Sequence, residues 1–155
     1  CNQQWSLWDG QTAPIIHMAV KTRDQAKYLL DRTDPPTVAS YRTKMLFAMP
    51  KDTQRRCSKC GKRMTNDHLG EATHLIDGCI ITMRHMWPAQ QELTRVLSPH
   101  TTGTLTILQW AAIIWIPVTH EMIQSITGTN NLVTEATAQA VRKITLELIL
   151  NMVTD

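Results

Sequence analysis

The chain has 155 residues, room for one ordinary domain or two very small ones. Its net charge of +3 is too mild to mark a nucleic-acid binder on composition alone. Its most apolar run, Leu105 to Val118, spans 14 residues and is interrupted by Gln109, short of the ~20 a membrane span requires, so it reads as a buried helix. The charge is unevenly placed. Residues 1–50 carry six Lys/Arg and four Asp/Glu, residues 51–100 eight and five, and residues 101–155 two and four. The positive excess therefore lies in the first two-thirds, and the last third is slightly acidic and more apolar.

In chain order, residues 1–21 read as a loop-rich lead-in, with Trp5, Trp8, Gly10 and Pro14 and no clear period. The chain opens on Cys1 rather than Met, which reads as a piece of a longer polypeptide, and no signal peptide is visible. Thr22 is suited to cap a short helix over 23–31, with Ala26, Leu29 and Leu30 as its apolar face. Asp34-Pro35-Pro36 breaks it, because prolines remove donors and push the preceding residue out of the helical region. The spacing of Val38, Tyr41, Met45 and Ala48 predicts a second helix over 37–48, stopped by Pro50.

Three of the four cysteines then fall within 23 residues: Cys57 and Cys60 in a Cys-x-x-Cys, and Cys79. Two cysteines at that spacing turn their sulfurs to one point on a tight turn, and Gly61 suits the sharp backbone bend. A His and a Cys on a later short helix complete a tetrahedron of the kind a structural Zn²⁺ takes. Two histidines compete for the third place. His68 sits in the loop Thr65-Asn66-Asp67-His68, and His74, five positions before Cys79, is favoured. Glu71 and Asp77 are candidate acceptors for the ligand imidazole, against the plainer reading of a solvated face. With no signal and a basic flank, metal in a reducing compartment is favoured over disulfides. Lys51, Arg55, Arg56, Lys59, Lys62 and Arg63 crowd this segment against Asp52 alone, and cations pinned by a metal suit phosphate.

Beyond the knuckle, Ile80 to Leu97 reads as helical, broken or restarted at Pro88, with Arg84-His85 extending the basic surface and Trp87 expected to be buried. Residues 99–103, within Ser98-Pro-His-Thr-Thr-Gly103, form the linker. Three helices follow, over 104–116, 119–127 and 133–152, separated by Pro117 and Gly128-Thr-Asn-Asn131. Val133, Ala136, Ala140, Val141, Ile144 and Leu148 form the expected packing stripe of the last. There is no nucleophile elbow, phosphate loop, His-Glu-x-x-His or carboxylate cluster for Mg²⁺. An HNH-type nuclease built on His68 lacks its downstream Asn, since none stands between Asn66 and Asn130.

Several motifs combine into a resemblance. Tyr28-Leu-Leu-Asp-Arg32-Thr-Asp-Pro-Pro36, Tyr41-Arg42-Thr-Lys-Met, Cys57-Ser-Lys-Cys60-Gly61, Glu71-Ala-Thr-His74-Leu-Ile-Asp-Gly-Cys79 and Arg84-His85 together resemble a segment of non-LTR retrotransposon reverse transcriptases. The segment is the one just after the thumb, in the site-specific, restriction-like-endonuclease type, and the resemblance covers about residues 28–95. It implies Cys57, Cys60, His74 and Cys79 as ligands of one structural Zn²⁺. It also implies a knuckle that helps position template RNA or target DNA for target-primed reverse transcription. The 13 residues between Cys60 and His74 exceed the family pattern, the palm aspartates are absent, and no endonuclease pattern follows residue 100.

The expectation is thus a mainly α chain: a helical region over 22–98 around a zinc knuckle at 57–79, then an apolar helical tail over 104–155. The fragment itself carries no catalytic site, while its parent would be an RNA-directed DNA polymerase acting inside the cell, in the nucleus. Arg55, Arg56, Lys59, Lys62, Arg63, Arg84 and His85 are the expected nucleic-acid contacts, with RNA or DNA and the rest of the parent polyprotein as partners, and no membrane. The alternative is a helical protein-interaction module with purely structural zinc, using the 104–152 region as its partner-binding face.

Overall fold

The structure, a computed structural model, describes residues 34–47, 56, 57, 59–62, 74–101 and 103–154. The expected lead-in, the helix over 23–31, His68, Arg55 and Arg63 lie outside these residues. Five α-helices and no strand occur among the described residues: α1 (Pro36–Phe47), α2 (Met83–Leu97), α3 (Ile107–Trp115), α4 (His120–Thr127) and α5 (Glu135–Thr154). The expected mainly α class is therefore observed.

α1 begins at Pro36, where a proline costs no hydrogen bond because the first amides of a helix have no partner within it. It buries Val38, Ala39 and Met45, and also Arg42, which is fully enclosed. The Arg42 guanidinium meets Asp34 at 3.2 Å and donates from Nη2 to Thr145 Oγ1 on α5 at 2.9 Å. Burial lowers the Arg42 pKa to about 10, with the Asp34 charge pulling the other way; burial likewise raises Asp34, opposed by Arg42. The pair thus costs desolvation and in return fixes the register of α1 on α5.

α2 runs through Pro88 unbroken, contrary to the expected break. Pro88 is exposed, so the acceptor it deprives of a donor can be hydrated. The chain then turns through a short 3₁₀ segment, Ser98–His100. α3 is opened by a capping box: Gln109 N–H donates to Thr106 Oγ1 at 3.2 Å, and Thr106 N–H to Gln109 Oε1 at 2.8 Å. From Trp110 to Val118 every residue is buried. From Trp110 on, α3 is therefore buried on every side. Trp115, fully buried, meets the Tyr41 ring at 5.9 Å.

α4 is capped by Thr119, whose hydroxyl accepts from Met122 N–H, and ends at Gly128, whose φ of 66° is the left-handed conformation that closes a helix. The following loop is stapled by Gln124, which donates to Asn131 O at 3.0 Å and accepts from Val133 N–H at 3.0 Å. α5 packs against all four other helices, most extensively against α2 and α1. Its buried residues are Ala138, Val141, Thr145, Leu148, Ile149 and Met152. The expected stripe was thus rotated: Val141 and Leu148 are on it, but Ala136 is exposed and Ala140 and Ile144 are half-buried. Thr145 lies on the inner face, where its hydroxyl accepts from the buried Arg42.

Candidate metal centre

The knuckle is shaped by backbone bonds before any metal is considered. Cys57 N–H donates to Lys62 O at 2.9 Å, and Gly61 N–H to Cys57 O at 3.0 Å. Gly61 has φ 76°, open to glycine at no steric cost. The amides of Lys59 and Cys60 point at Cys57 Sγ from 3.3 and 3.5 Å. Amides aimed at sulfur favour a thiolate there.

The second pair spans a turn: His74 is helical, residues 75–78 form the turn, and Cys79 follows it. Cys79 N–H donates to His74 O at 3.0 Å, folding 74–79 back on itself, and buried Leu75 and Ile76 anchor it in the core. Gly78 is the pivot. Its φ is 155°, and a Cβ there would stand 2.9 Å from His74 Nδ1. Thr82 ties the turn to the start of α2, its buried hydroxyl donating to Leu75 O at 2.9 Å. Neither Gly78 nor Thr82 carried a role in the sequence reading. The signal for Gly78 was its place just before a ligand cysteine.

These elements bring Cys57, Cys60, His74 and Cys79 together, with all four ligand atoms within 4.8 Å of one another. Cys57 Sγ and Cys79 Sγ are 3.8 Å apart, and Cys60 Sγ and His74 Nε2 are 3.3 Å apart. In a tetrahedral zinc site with Zn–S of about 2.3 Å and Zn–N of about 2.0 Å, those edges measure about 3.8 and about 3.5 Å. The cysteines are thiols, not a disulfide, whose sulfurs would be about 2.05 Å apart. Burial pushes the Cys57 thiol up to about 11, against the amides of Cys60 and Lys59. Burial acts on Cys79 in the same direction, but hydrogen bonds from Thr82 and Ile81 outweigh it and lower that thiol. Soft sulfur and imidazole in one half-buried cluster are a donor set that fits zinc.

The basic residues divide by what they touch. Arg56 and Lys62 are exposed, and Arg56 donates to Gly61 O at 3.2 Å, closing the knuckle from outside. Lys59 is half-buried and its ammonium reaches Met152 O in the last turn of α5, where a cation meets the negative end of the helix. Arg84 is exposed and His85 half-buried at the start of α2. Trp87, expected to be buried, is 66% exposed. Asp77 is exposed beside Gly78, and Glu71 lies outside the described residues.

No family model, no curated protein and no solved structure matches this chain. What stands on its own geometry is a helical protein with a Cys-Cys-His-Cys cluster consistent with zinc. No helix among the described residues is long and apolar enough to cross a membrane.

Proposed function

We propose that the chain binds one structural Zn²⁺ through Cys57, Cys60, His74 and Cys79, and that the knuckle so organised contacts RNA or DNA. In this reading it is the zinc-knuckle region of a retroelement reverse transcriptase polyprotein, not catalytic by itself, helping to position template RNA or target DNA in the nucleus. The observation that carries the zinc reading is the spacing of the four ligand atoms, which matches a tetrahedron on both measured edges. The nucleic-acid reading is supported by Arg56, Lys62 and Arg84, exposed on and just after the knuckle. Zinc would fix their backbone, so less entropy is lost when phosphate is bound. Lys59 has a different part in this reading, holding the knuckle to α5.

In the alternative reading, an interaction module with its face over 104–152, the apolar run Trp110 to Ile116 is buried within the chain's own fold.

Metal analysis of the purified chain tests the proposal. One zinc per chain is expected, retained in His68→Ala and lost in Cys57→Ser, His74→Ala and Cys79→Ser. A metal-free wild-type chain would refute the zinc centre. For the surface, affinity for nucleic acid should fall steeply with salt, each phosphate contact contributing about −0.9 to the log–log slope on a duplex and about −0.7 on a single strand. A flat salt response, or no binding at low salt, would remove the nucleic-acid reading and leave the zinc.

A further inference from the structure

The three cluster cysteines are unequally exposed. Cys57 and Cys79 are 3% and 2% exposed, while Cys60 is only half-buried. A solute arriving from water therefore reaches Cys60 before the other two. Cys57 Sγ is the sulfur in contact with both others. It is 3.8 Å from Cys79 Sγ and also hydrogen-bonds with the Cys60 side chain. Cys57 and Cys60 share one turn, closed by the bond from Gly61 N–H to Cys57 O at 3.0 Å. An accessible cysteine beside a second one is the pattern of a thiol that oxidises reversibly, because the neighbour traps the first product as a disulfide.

Hydrogen peroxide is an oxidant small enough to use that opening. The Cys60 thiolate attacks one peroxide oxygen: an S–O bond forms, the O–O bond breaks, and the departing hydroxide takes a proton to leave as water. The product is a sulfenic acid on Cys60. The Cys57 thiolate then attacks the Cys60 sulfur: the S–S bond forms, the S–O bond breaks, and a second hydroxide leaves as water. The two sulfurs lose two electrons in all, and the peroxide gains them. All four ligand atoms lie within 4.8 Å of one another, so a bond of about 2.05 Å closes within the turn.

We infer that the cluster is a peroxide-sensitive switch, in which a Cys57–Cys60 disulfide, entered through Cys60, ejects the zinc and unfastens the knuckle. The inference rests on the zinc reading above and adds the regulation of that site. The metal ligand is the thiolate, so the disulfide leaves His74 and Cys79 as donors, half of the four that a structural site uses. The released segment loses the fixed backbone that carries Arg56 and Lys62. A thiol reductant reaches the half-buried Cys60 sulfur by the same opening, so reduction restores the site.

Zinc content is measured first, and a metal-free wild-type chain would take away the zinc centre and the switch together. The zinc-loaded chain is then exposed to hydrogen peroxide. A zinc-indicator dye follows release, and mass spectrometry of the alkylated, digested chain maps the disulfides. Wild type should release its zinc, gain a Cys57–Cys60 disulfide, and rebind zinc after dithiothreitol. Cys60→His keeps a zinc donor while removing the accessible thiol, and should release zinc about tenfold more slowly. Cys79→His leaves the reacting pair in place and should release it as wild type does. Cys1→Ser, which removes the cysteine outside the cluster, should also match wild type. Zinc retained with all three cluster thiols intact would overturn the switch and leave the zinc centre standing. Release from Cys60→His as fast as from wild type, or a disulfide to Cys79 or Cys1 in place of Cys57–Cys60, would overturn the inference as well. Should Cys60→His hold no zinc, the wild-type disulfide map decides alone.

Discussion

Two regions of the described chain are held together by different physics. From α3 to α5 the structure rests on apolar burial: Ile113, Ile114, Trp115, Ile123, Val141 and Ile149 are each fully withdrawn from water, and capped helices join them. Among the described residues of 57–79, Leu75, Ile76, Cys57 and Cys79 are the ones that reach the core. The rest is a set of turns whose partners are sulfurs, an imidazole and one lysine reaching α5. The described residues of this segment bury little apolar surface, so in the zinc reading the metal supplies part of what burial does not. The difference teaches where each perturbation will be felt.

Removing zinc should have the largest effect and the sharpest boundary. Chelation is expected to abolish hydrogen-exchange protection at Cys60, Gly61 and Cys79 while amides of α5 stay protected; loss of protection in both regions together would show one cooperative unit instead. Zinc affinity should also fall as pH falls. The Cys57 thiol, raised to about 11 by burial, is protonated at neutral pH without metal, so binding releases its proton. Each released proton weakens binding about tenfold per pH unit lowered. Calorimetry in buffers of different ionisation enthalpy counts those protons.

Next in size, Trp115→Ala should cost about 3–5 kcal/mol by opening a cavity against Tyr41 and α3's neighbours, lowering thermal stability without altering zinc stoichiometry. A comparable loss of about 3 kcal/mol is expected for Asp34→Ala, which leaves the Arg42 charge enclosed. Arg42→Met should cost distinctly less, since it removes the buried charge itself and keeps the volume. Urea titration of the two variants separates them, and equal losses would show that Arg42 is stabilised by contacts other than Asp34.

The smallest effect is the most local. Gly78→Ala should cost about 1–3 kcal/mol, because φ of 155° disfavours a side chain and the new Cβ meets the His74 ring. The loss should appear in the zinc-loaded chain and shrink after chelation, when His74 is released. An identical penalty with and without zinc would mean that the strain lies in the backbone alone.

Much of this fold was legible because its cues are local. Pro36, Thr119 and Gly128 sit where helices begin and end, and the predicted spans over 37–48, 119–127 and 133–152 fall within a few residues of α1, α4 and α5. The four cluster residues were legible too, since Cys-x-x-Cys is a local turn and His74 and Cys79 share another. What failed were inferences about facing. Trp87 was assigned to the interior, but it stands 66% exposed next to the buried Met86. Pro88 was given a break that an exposed helix face did not need.

By itself, then, the sequence determined the helical class, the helix ends and the four residues able to hold a metal, because turns, caps and Cys-x-x-Cys spacing act within a few residues. Tertiary structure alone decided that Arg42 would be buried on Thr145, that Lys59 would reach the end of α5, and that Trp87 would stand in solvent beside the cluster. Those outcomes depend on which face of one helix meets another across as many as 103 residues of chain, and no local pattern encodes that meeting.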